Sequence, residues 1–347
     1  MFFSCFILIS PAFCRADSSS DPKTEAVNQQ LNMVENSQAA GLNPQEEFPA
    51  MQPNAQQEFS NKLQPPRASA WGMVKGIFDP GLDKSTKPQA PTQVITRVHT
   101  VDVGGEIFYY RYAEPNPVGI RNQGPMYGFD AGYAYRPAKP NFFNNPLTNV
   151  YFVQVRYTDS DDLKYSGDGD IKNKHDDALE YRGLIGKDYY IGADSMVTPY
   201  FGFGYRELYD RGKGEMTTTG LLAYDRRSHY YYLPLGGDIV IDLPDNWEFD
   251  PNIEYDLFIS GWQKSYFSDS PGNADLVNHQ DHGFGIRSSI KLLKKGPLVD
   301  YYMEPFVRYW HIEESKAEFQ VIGGQPGYWV EPDNNTIEVG SEFGIQF

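Results

Sequence analysis

Carboxylates and guanidinium groups recur at every second position of several stretches, and this spacing is the first chemical feature of the chain. Glu248, Asp250, Glu254 and Asp256 share one parity, as do Glu338 and Glu342, and Arg287 shares its parity with Lys291. Residues two apart lie on the same face of an extended segment, so each set forms a charged stripe. Glu106, Asp130, Glu180 and Glu304 add acid to such stripes, and Arg156, Arg182, Arg206 and Arg308 add base. Facing stripes of opposite sign predict a salt-bridged, hydrated plug. Where a channel is left between them, an acidic surplus predicts a narrow cation-preferring conduit. A second chemistry is general-base catalysis, for which Asp161-Asp162, His175-Asp176 and Asp281-His282 offer carboxylate beside imidazole. A third is Ca²⁺ binding by Asp159, Asp161, Asp162, Asp168 and Asp170, but the 12-residue EF-hand spacing is missing. Such clusters are more often solvated loop charge, so no catalytic residue, metal ligand or cofactor is assigned.

The composition narrows the classes. The 347 residues carry 46 acidic and 30 basic side chains, a formal charge of −16. That balance argues against nucleic acid as a partner, because phosphate neutralisation needs a Lys/Arg surplus. The mean hydropathy is −0.55, and no apolar run approaches the roughly 18 residues of a spanning helix. Yet aromatics make up 15% of the chain, and all 25 Tyr follow residue 94. A polar average and many rings coexist when apolar residues occupy alternate positions of membrane-crossing strands.

Residues 1–16 read as a signal peptide, with an apolar run before Pro11 and small residues at Cys14 and Ala16. No Lys or Arg precedes that run, so a start upstream of Met1 is expected. Cys5 and Cys14 both fall inside it, which leaves no thiol for the mature chain. Residues 17–93 read as a disordered, Gln/Asn/Pro-rich periplasmic extension. One apolar island interrupts it, around Trp71 and Ile77.

Residues 94–347 read as the domain. Ile337, Val339, Phe343, Ile345 and Phe347 alternate with Glu338, Gly340, Glu342, Gly344 and Gln346, which is strand periodicity with one apolar and one polar face. Ten such segments are expected, at about 104–113, 125–136, 149–158, 177–191, 196–208, 228–242, 246–262, 282–293, 298–312 and 335–347. Their connections alternate between short and long, as in a meander barrel with short periplasmic turns and long external loops such as 159–176 and 209–227. Alternation alone does not tell inside from outside, and a soluble sandwich or lipocalin-like barrel would show it too. Three features favour an all-β, antiparallel, up-and-down transmembrane barrel of about ten strands. Aromatics gather at segment ends (Tyr189-Tyr190, Tyr230-Tyr231-Tyr232, Tyr301-Tyr302, Tyr309-Trp310), glycine recurs on the polar face, and the last strand ends on its apolar face at Phe347. Pro199, Pro234, Pro251 and Pro305 interrupt strands, and each should mark a bulge or a lost ladder bond.

The C-terminal alternation ending in Phe resembles the last strand of bacterial outer-membrane β-barrel proteins, with Phe343, Ile345 and Phe347 as the pattern read by the barrel assembly machinery. Glu106-Ile-Phe-Tyr-Tyr-Arg-Tyr, Thr198-Pro-Tyr-Phe-Gly-Phe-Gly-Tyr-Arg, Tyr231-Tyr-Leu-Pro-Leu-Gly and Glu304-Pro-Phe-Val-Arg-Tyr-Trp look like strands of a poorly characterised group of such domains. The resemblance covers 94–347. It implies residence in a Gram-negative outer membrane, with lipid and lipopolysaccharide as surroundings, but no activity. The expected role is non-enzymatic, a structural or surface barrel with a narrow cation-preferring pore. The alternatives are a rim hydrolase, since ten strands resemble the omptin proteases, or an adhesin using its external loops.

Overall fold

The computed structural model describes residue 94 and residues 96–115, 119–139, 142–269 and 273–347. The expected signal peptide over 1–16, with Cys5 and Cys14, and the expected extension over 17–93, with its Trp71 island, lie outside the described residues.

Among the described residues fourteen strands follow one another: β1 (His99–Glu114), β2 (Ile120–Tyr135), β3 (Val150–Gly167), β4 (Gly169–Gly186), β5 (Tyr189–Tyr190), β6 (Ser195–Arg211), β7 (Arg226–Leu243), β8 (Trp247–Ser265), β9 (Leu276–Gln280), β10 (Gly283–Lys294), β11 (Asp300–Ile312), β12 (Glu318–Ile322), β13 (Gln325–Trp329) and β14 (Asn334–Gln346). Ten of them form a closed antiparallel barrel in the order β10, β11, β14, β1, β2, β3, β4, β6, β7, β8, and the pairing of β8 with β10 completes the circle. Closure leaves no barrel strand with an unpaired edge, the condition for strands to cross a bilayer. Short β5 extends the pairing of β6, β9 pairs with the far end of β8, and β12 and β13 form a separate hairpin.

The apolar parity points outward. Ile253 is 67% exposed, Phe201 56%, Phe129 52% and Val339 51%, whereas Glu254, Asp130 and Glu338 on the alternate positions are buried. A soluble sandwich or lipocalin would show the reverse, so the exposed band is the lipid-facing surface of a membrane barrel. Phe343, Ile345 and Phe347 belong to this band, and Phe347 exchanges both backbone hydrogen bonds with Val101, at 2.8 and 2.9 Å. Turn chemistry sets one rim. Asp245 and Asn246 have φ of 61° and 62°, and this left-handed pair lets β7 turn directly into β8.

One expectation needs correction. Residues 159–176 are not an open loop, since β3 and β4 stay paired to Gly167 and Gly169. The strands run 12 to 19 residues, longer than the roughly 9–11 needed to cross lipid, so their ends project as walls. Pro199, Pro251 and Pro305 sit in ladders without a register shift, so each costs a bond rather than making a bulge, while Pro234 lies near the shift at Tyr231/Tyr232. Tyr189 and Tyr190 are both exposed, and the other aromatic groups are divided by the pleat. Tyr231, Tyr301 and Tyr309 take the outward parity, but Tyr230, Tyr232, Tyr302 and Trp310 turn into the lumen.

Ile253 lies about midway along the lipid-crossing part of β8. Ile253→Arg is expected to cost roughly 2–4 kcal/mol in urea titrations of the barrel folded into lipid vesicles, against roughly zero for Leu298→Arg on an exposed turn.

Candidate functional site

The inward parity of the ten strands converges on a layered lumen. At its centre Glu338 on β14 accepts from three guanidinium groups, Arg156 on β3 at 2.8 Å, Arg206 on β6 at 2.9 Å and Arg308 on β11 at 3.3 Å. Glu106 on β1 accepts from Arg156 at 2.5 Å and Arg308 at 3.0 Å. On the other side Arg287 of β10 donates two hydrogen bonds to Glu180 of β4, at 2.9 and 2.5 Å, and one to Asp256 of β8 at 2.6 Å. Glu254 lies 3.3 Å from Arg287 and binds Arg182. Charges this deeply buried are tolerated only when paired and hydrogen-bonded, and sharing each carboxylate among several guanidiniums meets that demand.

Rings cover these cations. Arg206 lies over Trp310 at 5.3 Å, Arg287 over Tyr232 at 5.4 Å, Arg156 over Phe108 at 5.1 Å and Arg308 over Phe306 at 3.8 Å. Tyr232 also donates to Glu180 at 2.7 Å. Toward the rim opposite the start of β1, Tyr230, Tyr232, Phe258, Trp310 and Ile312 pack into one buried cluster, and Phe108, Tyr110, Tyr112, Met126, Leu163 and Phe306 into another. Glycine makes room for them: the Tyr232 ring fills the space where a Cβ on Gly204 would stand.

Beyond the rings, at the external mouth, comes a second ionic layer. Lys174 contacts Asp176 at 2.5 Å and also binds Asp210, while Arg226 joins Asp210 at 3.0 Å to Glu114 at 2.7 Å. The external hairpin caps it. Tyr112 donates to Glu114 at 2.9 Å and to Glu331 at 3.3 Å, and Glu331 is tied to Ser315 through backbone and side chain. Burial pushes the Glu331 carboxyl up to about 8, with the charge of Glu114 adding to the effect and Arg226 opposing it.

Below the central layer, toward the rim where β1 begins and β14 ends, lies a cavity of about 720 Å³. Asp130, Glu248, Asp250, Glu304 and Glu342 line it, together with Asp102 and Asp238. Lys295 holds Glu248 at 2.7 Å, Lys291 stands 3.5 Å from Glu304, and Tyr302 donates to Glu342 at 2.5 Å. The expected lumen residues are thus divided between two places. Glu106, Arg156, Glu180, Arg206, Glu254, Asp256 and Glu338 build the central layer; Arg182, Arg287 and Arg308 belong to it and also form the inner end of the cavity.

Sequence neighbours expected to cooperate are separated by the pleat. His175 takes the outward parity and contacts Asp159 at 2.7 Å, whereas Asp176 points into the lumen toward Lys174. Asp159, His175 and Asp177 bring ligand-type atoms within 4.8 Å of one another on the outer wall, where Arg211 already holds Asp177 at 2.6 Å. Asp161 and Asp162 are exposed, and Asp281 pairs with Lys316. The mouth layer of Glu114, Lys174, Asp210 and Arg226 was not anticipated. Register shifts between Ser160 and Tyr165 and a left-handed Asn173 break the alternation that would have revealed the upper walls.

No protein-family model matches the chain, and no curated protein matches it. Among solved structures, the outer membrane protease OmpT from Escherichia coli aligns at 8% identity over 76% of this chain and 99% of its own, with a TM-score of 0.49. The beta domain of the Bordetella autotransporter BrkA aligns at 13% identity over 70% and 98%, with a TM-score of 0.29. A mutant of the TodX monoaromatic hydrocarbon channel aligns at 6% identity over 72% and 91%, with a TM-score of 0.28.

Glu338→Gln removes the charge on which three arginines converge, and it is expected to cost about 3–5 kcal/mol in urea titrations of the lipid-folded protein. Glu331 keeps its proton in the folded state up to about pH 8 but loses it near 4.5 when exposed, so its contribution to folding weakens as pH rises from about 4.5 to 8. Hydrogen-exchange protection of the Ser315 and Glu331 amides should therefore fall across that window, and Glu331→Gln should flatten the fall.

The closed ten-stranded barrel, its apolar band turned outward and its charges turned inward, is the fold of an outer-membrane β-barrel protein.

Proposed function

We propose that the chain is a non-enzymatic barrel of the Gram-negative outer membrane, with its lumen sealed midway and its projecting walls serving a structural or surface role. The observation that carries this reading is the central layer, in which Glu106, Glu180 and Glu338 are shared among Arg156, Arg206, Arg287 and Arg308 beneath packed rings. Moving an ion through it would break several buried pairs at once, which opposes passive conduction. Two placements support a role without catalysis: His175 and Asp176 face opposite sides of β4, and Asp281 is engaged by Lys316. Lipid and lipopolysaccharide would surround the apolar band. Phe343, Ile345 and Phe347 on β14 would be read by the barrel assembly machinery. The walls of β3 and β4 would supply the surface that an adhesive role requires.

Planar-bilayer recording of the full chain, purified from an outer-membrane fraction, is expected to show no discrete steps for the wild type and cation-selective steps for a Glu338→Ala/Arg206→Ala/Arg308→Ala variant that opens the layer. Steady wild-type conductance would overturn the sealed reading in favour of a narrow cation-preferring pore. Peptidase or lipase activity lost on His175→Ala would support a rim hydrolase instead.

A further inference from the structure

The cavity below the central layer holds more carboxylate than its own cations neutralise. Arg182 and Arg308 are engaged by the central layer, Arg136 by Asp188 at 3.3 Å, Arg97 by Asp300 at 2.9 Å and Lys295 by Asp242 at 2.6 Å. Lys291 stands nearest Glu304. Among the described residues this leaves Asp102, Asp130, Asp238, Asp250 and Glu342 lining the cavity without a salt bridge. Asp130 is the most telling. It is 2% exposed and lines the cavity, and its Oδ2 has no hydrogen-bond partner. Oδ1 of Asp250 is likewise unpartnered. A buried carboxylate left in this state is costly unless something donates to it.

The arrangement selects the donor. In the circular strand order, β7 stands five places from β1 and β8 five places from β2, so Asp102 and Asp130 lie on the wall opposite Asp238 and Asp250. Ten strands about 4.8 Å apart and tilted about 40° put opposite walls roughly 20 Å apart at the backbone, which leaves roughly 12 Å between their carboxylates. A single metal ion cannot bridge that span. Among the described residues the grouping of His, Asp and Glu atoms tight enough to hold an ion is Asp159, His175 and Asp177, on the outer wall. The complement of separated carboxylates is a molecule with separated cations. Between them the cavity offers Phe152, Leu184, Met196, Val240 and Tyr200, an apolar and aromatic lining suited to methylene chains and to the ring faces that attract ammonium groups.

We propose that this cavity binds a linear aliphatic polyamine, its terminal ammonium groups donating to Asp102 and Asp130 on one wall and to Asp238 and Asp250 on the other. The inference goes beyond the sealed-barrel reading and stands apart from it: wild-type conductance would overturn that reading and leave this site to be tested by binding alone.

The test is calorimetric titration of the full chain in lipid nanodiscs with spermidine, repeated with Mg²⁺ and with singly acetylated spermidine. Expected are saturable, salt-sensitive binding of one spermidine, affinity lower by about ten-fold or more for Asp130→Asn and for Asp250→Asn, a similar loss for the acetylated ligand, and no equivalent site for Mg²⁺. Heat-modifiable gel mobility checks that each variant is folded, and Asp238→Asn replaces Asp130→Asn should the latter not fold. Absence of saturable spermidine binding to the wild type would overturn the proposal. So would unchanged affinity in the folded variants, or Mg²⁺ binding with the same dependence on Asp130.

Discussion

Neutralising charge inside a closed wall is the constraint on which the rest of this barrel depends. Strands that cross lipid must alternate, and each apolar side chain turned toward lipid obliges its neighbours to face the lumen. Ten strands enclose a space only slightly wider than side chains can fill, so the inward residues cannot all reach bulk water. Glu338 answers this by serving Arg156, Arg206 and Arg308 together, and Glu180 by holding Arg287 with two bonds. Each of these groups comes from a different strand. The central layer therefore ties the wall together across its diameter, where backbone bonds join only adjacent strands.

The rings and glycines follow from the same demand. Guanidinium planes that saturate their carboxylates still present flat faces, and Trp310, Tyr232, Phe108 and Phe306 cover them. These rings need volume on the inside of a small barrel, which explains why Gly204 stands where Tyr232 leans. The same layering separates two environments, a mouth closed by Lys174, Arg226 and their acids, and an acid-rich basin at the rim where β1 begins.

Strand parity carried most of what the sequence revealed. In β8 and β14 the period is unbroken over the lipid-crossing part, so their faces could be read directly. Alternation alone fits both senses of the apolar face; the segment-end aromatics, the glycines of the polar face and the apolar ending at Phe347 favoured the outward one, and the exposure of Ile253 and Val339 beside buried Glu254 and Glu338 shows it. The upper walls of β3 and β4 were illegible because register shifts near Ser160 and the left-handed Asn173 interrupt the period, and the acids there read as loop charge. The partners across the lumen were illegible for another reason. Arg156 and Glu338 meet 182 positions apart, through a stagger that only the closed barrel sets. Parity showed which residues share the interior, but not that some would be locked in pairs while Asp130 would stand alone.

The meeting of β1 with β14 has a kinetic consequence. Most of the wall grows by joining consecutive hairpins, whereas this seam brings residues 101 and 347 together and bears the largest loop-closure entropy in the molecule. Until it forms, two long strands expose unpaired amides and carbonyls, the templates on which chains associate wrongly. The seam also sets Glu106 directly opposite Glu342, a like-charged pair made tolerable by Arg156 and Arg308 on one acid and Tyr302 on the other. Sealing the wall is thereby coupled to filling the lumen: the last ladder to zip is one whose facing acids repel until donors from β3 and β11 are in place.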